Sequence, residues 1–253
     1  MLQQERHEKI LDLISQLGRV YAAGLSQSLQ VSEDTIRRDL KQLDELKKLR
    51  RVHGGALPLQ QEFQEYRDRQ DEVDPLKKRV ALAAIPFIKA HQTILIDSGT
   101  TCLQLAMNLP TDFNFTVVTP SPLVATKLMH HNNIELILLG GKVSKSAVMA
   151  LGATTNAMLR KIHFDVCFLG VYALHPSQGL TINRLDEAET LAAIIEQSEL
   201  VISLGSSLKL GKVGTYKICN SNKLDVLVTD SESNPKVLKL LQTKGVKITL
   251  CAD

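Results

Sequence analysis

Seven short apolar runs, separated by stretches with helical spacing, constrain the fold of this 253-residue chain more than any other feature. Strands that alternate with helices are typical of a mostly parallel sheet with helices on its faces. The predicted strands lie at residues 93–96, 115–118, 134–139, 166–169, 200–204, 226–228 and 246–250. The sequence therefore predicts an α/β fold for most of the chain.

The first 57 residues follow a different pattern, in which three helices precede a short hairpin. Apolar side chains recur at helical spacing over residues 4–17, and a short second helix is expected over residues 22–29. A strand is expected over residues 49–52, and Gly54-Gly55 supplies the turn of a hairpin. Three helices followed by such a hairpin predict a winged helix-turn-helix.

The third helix is well specified by its own sequence. Ser32 can accept a backbone hydrogen bond as the N-cap, and Glu33 and Asp34 place negative charge in the first turn, where the helix dipole favours it. The apolar residues fall on one face, and the basic residues fall on the others. The apolar residues are Ile36, Leu40 and Leu43, and the residues on the other faces are Thr35, Arg37, Arg38 and Lys41.

Positive charge is concentrated in this helix and the hairpin. The whole chain has a formal net charge of +3, whereas residues 37–51 hold seven cations and three anions, a local charge of +4. A basic helix can enter the major groove, and a wing can follow the backbone or the minor groove. A solvated charged face is the alternative, but the ordered helices and hairpin favour DNA binding. The candidate DNA-binding residues are Ser32, Thr35, Arg37, Arg38, Lys41, Arg51 and His53.

A change in composition marks a domain boundary after the hairpin. Residues 58–74 are rich in Gln, Glu, Asp and Arg, so they cannot bury much apolar surface. We therefore expect a DNA-binding domain at residues 1–57, a linker at residues 58–75, and an α/β domain with the mostly parallel sheet at residues 76–253.

Glycine and hydroxyl-bearing residues follow several of the predicted strands. Ligands bind at the carboxyl ends of strands in parallel sheets. A turn at the start of a helix offers N–H groups and a positive dipole end to an anion such as phosphate. One such turn is ordinary, but their repetition predicts a pocket. The candidate effector-binding residues are Asp97, Ser98, Gly99, Thr100, Thr101, Gly141, Lys142 and Lys209.

The cysteine and histidine residues bear on compartment and metal binding. The four cysteines have no paired spacing, as expected in a reducing cytoplasm. Neither they nor the histidines have the spacing of metal ligands, so no metal site is predicted. No apolar stretch has the roughly 18 residues of a membrane span, and no secretion signal is recognised. The residues concerned are Cys102, Cys167, Cys219, Cys251, His130, His131, His163 and His175.

Residues 5–57 resemble the N-terminal domain of the DeoR family of bacterial transcriptional regulators. The resemblance rests on several motifs in the family's order and spacing. They are Glu5-Arg6, Ile10, Gly18, the run at residues 31–40, and Arg50-Arg51-Val52-His53-Gly54-Gly55-Ala56. Asp39, within that run, is expected to pair with an arginine or to neutralise it against the helix, and not to contact DNA.

The rest of the chain resembles the sensor domain of the same family, which is similar in fold to ribose-5-phosphate isomerase and is taken to bind phosphorylated sugars. The resemblance implies a repressor of carbohydrate-metabolism genes that binds operator DNA and a phosphorylated sugar or similar effector, without a cofactor. A homo-oligomer, dimer or tetramer, is expected because one small winged helix gives modest affinity. The matching residues include Arg69, Lys77, Phe164-Asp165, Leu169-Gly170, Glu187-Ala188-Glu189, Lys209 and Gly211, with the segments 97–101, 117–119, 138–141 and 179–181.

Three loops depart from the family's pattern. Pro120 stands where an asparagine is common, Val171-Tyr172-Ala173 replaces Ala-Asp-Gly, and Ser206 replaces an aspartate. Two carboxylates and an amide side chain are therefore missing. We expect the phosphate-binding turn at residues 98–101 to persist with Lys209, whereas the part that reads sugar hydroxyls has changed.

Two alternatives to a ligand-controlled regulator stay open, and the departures favour only the first. The first is a regulator whose effector pocket has decayed or altered, leaving an oligomerisation domain. The second is an enzyme like the sugar-phosphate isomerases, with Asp97 or Glu187 as general base and Lys209 as its electrostatic partner. An enzyme would not require the N-terminal domain, which favours the regulator.

Overall fold

The computed structural model describes residues 1–59 and 75–252, and its N-terminal part is a small helical domain with a three-stranded sheet. The helices are α1 (Gln3–Leu17), α2 (Ala22–Leu29) and α3 (Glu33–Glu45). The strands are β1 (Val20–Tyr21), β2 (Arg50–Val52) and β3 (Gly55–Leu57), in the order β1-β3-β2. The predicted helices and hairpin are confirmed, and β1 adds a short strand that was not predicted.

Local sequence signals set the ends of these elements. α1 ends at Gly18, whose φ of 73° is a left-handed conformation that glycine adopts without strain. Ser32 caps α3 as predicted, because its side chain accepts a hydrogen bond from the backbone N–H of Thr35 at 3.2 Å. A Cβ at Gly55 would collide with the carbonyl oxygen of Val20 in β1. The wing can therefore lie directly against β1 only because this position is glycine.

A buried ion pair joins α1 to α3. Asp39 is 1% exposed and accepts hydrogen bonds from Nε and Nη2 of Arg6, the latter at 3.0 Å. It also lies 3.1 Å from Nε2 of His7. Burial alone would raise the pKa of Asp39, but the hydrogen bonds and charge of Arg6 hold that pKa below its ordinary value. The predicted salt bridge between Asp39 and an arginine is thus confirmed.

Seven parallel strands form the main sheet of the second domain. They are β4 (Thr93–Ile96), β5 (Phe115–Thr119), β6 (Ile134–Leu138), β9 (Phe164–Gly170), β12 (Ser198–Leu204), β14 (Val226–Thr229) and β15 (Lys247–Leu250). Their order is β15-β14-β12-β9-β4-β5-β6, and each neighbouring pair is parallel. All seven predicted strands are confirmed, with ends shifted by two residues at most.

Helices cover both faces of this sheet, which is why its strands are nearly continuous apolar runs. One face packs against α4 (Pro75–Ala84), α5 (Thr100–Ala106) and α6 (Pro122–Leu128). The other packs against α7 (Ala153–Leu159), α8 (Leu185–Glu196) and α9 (Pro235–Gln242). Among the described residues, no helix has the length and apolar character needed to cross a membrane.

Two antiparallel elements lie outside the sequence prediction. β7 (Lys142–Ser144) and β8 (Met149–Leu151) form a hairpin, and β10 (Ala173–His175), β11 (Gly179–Ile182) and β13 (Tyr216–Cys219) form a second sheet. The short strands of the main sheet are recognisable because they are apolar runs, whereas most of these five strands mix polar and apolar residues over too few positions to show a period. β13 also joins its sheet from a distant part of the chain, which no local pattern encodes.

The predicted linker falls almost wholly on residues 60–74, which lie outside the described residues, as does Arg69. β3 ends at Leu57 on one side of that segment, and α4 begins at Pro75 on the other. The division into residues 1–57, 58–75 and 76–253 stays a prediction.

Replacing Asp39 with asparagine tests how strongly the ion pair holds α1 to α3. We expect the free energy of opening α3 to fall by about 3 kcal/mol at pH 7, because Arg6 loses the charge that offsets its desolvation. The pKa of Asp39 is lowered by folding, so its stabilisation is present above the unfolded pKa and is lost as the pH falls through the folded one. The difference should therefore shrink below about pH 4. Hydrogen exchange of the α3 amides in the full chain measures it.

The matched control is Asp34→Asn at the start of the same helix, where the side chain is 79% exposed and lies 3.9 Å from Arg37. We expect a loss under about 1 kcal/mol, since exposed pairs contribute little. Equal losses in the two variants would contradict the role assigned to the buried pair.

Candidate DNA-binding surface and effector cavity

α3 presents its polar residues away from the domain core. Arg37, Arg38 and Lys41 are exposed, whereas the apolar side of the helix is buried. Ser32 and Thr35 lie at the start of the helix, with their hydroxyl oxygens 2.9 Å apart. The start of such a helix is the part that reaches base edges when it lies in the major groove.

Acidic neighbours orient two of these cations without burying them. Arg37 lies 3.1 Å from Glu33 and 3.9 Å from Asp34, and Lys41 lies 3.8 Å from Glu45. All five side chains are at least 45% exposed, so the pairs contribute little stability. Both cations can therefore exchange these partners for phosphate oxygens at small cost.

The wing lies beside α3 and shares a groove with it. Arg51 donates its backbone N–H to Oδ1 of Asp44 at 2.9 Å, which ties the wing to the helix. The side chains of Arg51 and His53 are exposed, and both line the groove together with Arg37. The seven predicted DNA-binding residues thus occupy two elements in contact with each other.

A cavity of about 300 Å³ opens at the carboxyl ends of β4, β9 and β12. These three strands are neighbours in the middle of the sheet, so the loops that follow them meet at one edge. Six of the eight predicted effector-binding residues line the cavity: Asp97, Ser98, Gly99, Thr100, Thr101 and Lys209.

The backbone of the turn after β4 packs closely against the backbone at the end of β9. A Cβ on Gly99 would lie 3.4 Å from the Cα of Gly170 at the end of β9. The N–H of Gly170 donates to Oδ2 of Asp97 at 3.1 Å, which holds the two strand ends together. Thr100 and Thr101 begin α5, where the amide groups have no acceptor within the helix.

Charged side chains of both signs line the cavity. Lys77 and Lys209 supply cations, and Asp97 and Glu187 supply carboxylates. Glu187 lies 3.1 Å from Nε of Arg184, so its charge is partly balanced. Lys77 and Glu187 were not among the predicted effector-binding residues, because they belong to α4 and α8 and do not follow a strand. Both residues were, however, among those that match the family's sensor domain.

Gly141 and Lys142 do not line the cavity. They follow β6, an edge strand that β5 separates from β4, so their loop lies away from the central crevice. The oxygen of Gly140 instead accepts a hydrogen bond from the Thr155 hydroxyl at 2.7 Å, and Lys142 is exposed at the start of β7. The hairpin that follows reaches the cavity through Ser146, Ala147 and Met149. The structure thus separates Gly141 and Lys142 from the other six predicted residues, because sequence order does not reveal strand order.

The cysteines near the cavity are buried thiols. Cys102 and Cys167 are 0% exposed. Burial raises the pKa of Cys102 well above its ordinary value and that of Cys167 to about 12. Both thiols are therefore protonated and unreactive at neutral pH. Within the described part of the chain, no three His, Cys, Asp or Glu side chains gather so that they could hold a metal ion.

The turn between β10 and β11 contacts the DNA-binding domain. A Cβ on Gly18, at the end of α1, would collide with the side chain of Gln178 and lie 2.5 Å from Oγ of Ser177. Beside this contact, Nζ of Lys236 in α9 lies 2.5 Å from Oδ2 of Asp12 in α1. α1 therefore docks on the second domain, whereas the basic residues of α3 and the wing stay exposed.

The same hairpin reaches the cavity at its other end. Tyr172, just before β10, and Ile182, the last residue of β11, both line the cavity. His175 at the end of β10 is 0% exposed, and burial lowers its pKa to about 4. The hairpin is thus a short, buried connection between the cavity and α1.

Comparison with known proteins identifies the family of both domains. A model of the DeoR-like helix-turn-helix domain matches residues 6–62, and a model of the DeoR C terminal sensor domain matches residues 74–231. The HTH-type transcriptional regulator GolR of Listeria innocua is 31% identical over 97% of this chain and 98% of its own. The glycerol-3-phosphate regulon repressor of Escherichia coli is 30% identical over 99% of this chain and 100% of its own. Among solved structures, ribose 5-phosphate isomerase A of Methanocaldococcus jannaschii matches 55% of each chain, with a TM-score of 0.41 and 15% identity.

A winged helix-turn-helix joined to an α/β domain with a ligand-sized cavity defines a DNA-binding regulator with a sensor domain. The chain belongs to the DeoR family of transcriptional regulators, as both family models and the full-length relatives show. It is therefore a regulator and not an isomerase-like enzyme, and Asp97 and Glu187 need no role as a general base.

Arginine substitutions on α3 test the assigned DNA-binding face. We expect Arg37→Ala or Arg38→Ala to weaken operator binding by about 1–3 kcal/mol if the side chain reads a base. Arg51→Ala should weaken binding to all sequences and flatten its salt dependence, because the wing contacts phosphate. Fluorescence anisotropy with DNA from upstream of the chain's own coding region measures both effects.

Arg160→Ala is the control, since Arg160 is an exposed arginine at the end of α7, outside the DNA-binding domain. It should leave operator affinity and the salt slope unchanged. Wild-type affinity in both α3 variants would refute the assignment of α3 to the groove.

Proposed function

We propose that this regulator is a repressor of carbohydrate-metabolism genes that releases operator DNA when a phosphorylated sugar or related metabolite binds. The observation that carries the proposal is the cavity, in which Lys77 and Lys209 accompany the turn at residues 98–101. Support for repression comes from the relatives, one of which is named a glycerol-3-phosphate regulon repressor. We propose the cytoplasm as its place of action, where the four free cysteines would stay reduced.

The chemistry of the cavity suits a phosphorylated polyol. The two lysines and the amide groups at the start of α5 would hold the phosphate, since charge-assisted hydrogen bonds to phosphate are short and strong. Glu187 would accept hydrogen bonds from hydroxyl groups of the ligand, whereas Asp97 holds the phosphate-binding turn in place by accepting from the N–H of Gly170. A few placed polar groups among apolar walls are typical of small-molecule sites.

The proposal is tested by adding a panel of sugar phosphates to the complex of the protein with its operator. One compound should release the DNA, and Lys209→Gln should raise the concentration needed at least tenfold without changing operator affinity. Lys223→Gln, on the turn before β14 and away from the cavity lining, is the matched control. Tight operator binding that no compound relieves would favour the alternative of a decayed pocket, and failure to bind operator DNA would refute the proposal.

We further propose that the ligand acts on DNA binding through the hairpin of β10 and β11. Its base borders the cavity and its turn touches Gly18 of α1, so a shift of Tyr172 or Ile182 would move the surface on which α1 rests. In a dimer or tetramer, that movement would change the spacing of the two winged helices and with it the fit to an operator. Sedimentation of the free protein would show a mass above one chain if this arrangement is right.

Removing the contacts between α1 and the second domain tests this coupling. The double variant Gln178→Ala, Lys236→Ala should bind effector normally, whereas the ratio of operator affinities without and with effector should fall at least threefold. The reason is that allosteric coupling, typically 5–150-fold, requires contacts that differ between the two states. Anisotropy titrations at zero and saturating effector give the ratio.

The matched control is Gln178→Ala with Lys239→Ala, because Lys239 is exposed on the same helix α9 but forms no ion pair with α1. Its ratio should lie clearly above that of the test variant. An unchanged ratio in the test variant would show that coupling runs outside this contact.

A further inference from the structure

One wall of the cavity is formed by Val171 and Tyr172, which follow the central strand β9. Gly170, at the end of that strand, packs against Gly99 of the turn proposed to hold phosphate. Tyr172 stands two residues beyond Gly170, roughly 7 Å of extended backbone. A ligand whose phosphate lies in the turn therefore meets this wall a short distance away.

A hydrogen-bonded network holds the tyrosine in place. Oδ1 of Asn183 accepts from the backbone N–H of Thr215 at 2.9 Å and from its hydroxyl at 3.2 Å. Because a backbone N–H can only donate, the amide of Asn183 has one orientation, and its Nδ2 donates to the Tyr172 hydroxyl at 2.8 Å. The phenol ring is thus anchored at its hydroxyl end by Asn183, just after β11, which Thr215 just before β13 holds in turn.

Val171, the other residue of this wall, is packed too tightly to move away from the cavity. A Cβ on Gly205, in the loop after β12, would lie 2.6 Å from the Cβ of Val171. Val171 is also 7% exposed, and its N–H donates to the oxygen of Leu204 at 2.9 Å. Val171 is therefore wedged between two strand ends, and only a rotation of Tyr172 could lengthen the cavity on this side.

We propose that Tyr172, positioned by Asn183, is the residue that sets ligand length in this cavity. It selects three-carbon phosphate esters over six-carbon sugar phosphates, because the ring closes the space that the longer chain would need. The cavity volume of about 300 Å³ lies at the lower end of the range for ligand pockets, roughly 300 to 1,000 Å³. The phenol ring also offers an apolar face at the position where an aspartate is common in the family. An aspartate there could bind further hydroxyl groups of a longer ligand. This inference rests on the proposed function, namely that the cavity binds phosphorylated ligands.

Calorimetry with inorganic phosphate, glycerol 3-phosphate and glucose 6-phosphate tests the proposal on the full chain. The wild type should bind glycerol 3-phosphate at least tenfold more tightly than glucose 6-phosphate. Tyr172→Ala should reduce that ratio at least tenfold and leave the Kd for inorganic phosphate within twofold, because the phosphate turn is untouched. Tyr172→Phe, which keeps the ring but loses the hydrogen bond from Asn183, should give a ratio between those of the wild type and Tyr172→Ala.

Leu138→Ala is the matched control, since Leu138 is 47% exposed at the end of the edge strand β6 and does not line the cavity. It should leave the ratio unchanged, and normal operator binding by each variant would show that it is folded. A wild-type ratio near one, or a Tyr172→Ala variant that weakens all three ligands equally, would overturn the role of Tyr172. If none of the three ligands binds the wild type, the proposed phosphate-binding function itself fails.

Discussion

The ion pair between Asp39 and Arg6 is the interaction on which the arrangement of this molecule depends. It lies where α1 crosses α3, and the carboxylate is almost fully buried. A buried charge keeps its place only with its partner in good geometry, so the two helices are constrained to move as one body. α1 is also the helix that rests on the second domain through Asp12 and Gly18. A single pair therefore links the helix that presents cations to DNA with the surface that docks on the sensor.

The same pair explains an acidic residue within a basic helix. An exposed aspartate on α3 would repel phosphate. Asp39 instead points into the domain, where it pairs with Arg6 and lies within hydrogen-bond distance of His7. The remaining acids near the arginines are exposed and form weak pairs with them. DNA can displace such pairs, whereas it cannot reach Asp39. α3 therefore has a basic face on which each acid near its arginines is either buried, as Asp39 is, or held in a weak exposed pair.

Sequence reasoning succeeded where the signal is local. The cap at Ser32, the hairpin of the wing and the seven main strands depend on neighbouring residues, and each was predicted. The cavity was predicted in part, because the turn at residues 98–101 and Lys209 follow strands that turned out to be central. Gly141 and Lys142 follow a strand that lies at the edge, and the order of strands in a sheet is a tertiary property that no local pattern carries.

The second sheet is the clearest example of a feature that local sequence patterns could not predict. Its strands are short, yet they place Ile182 at the cavity and Gln178 at α1, and His175 is buried between these ends. Because burial lowers the pKa of His175 to about 4, the imidazole is neutral throughout the physiological range. His175 therefore adds no titrating charge to this connection near neutral pH. The proposed signal through this hairpin would therefore depend on packing against the ligand and not on the titration of His175.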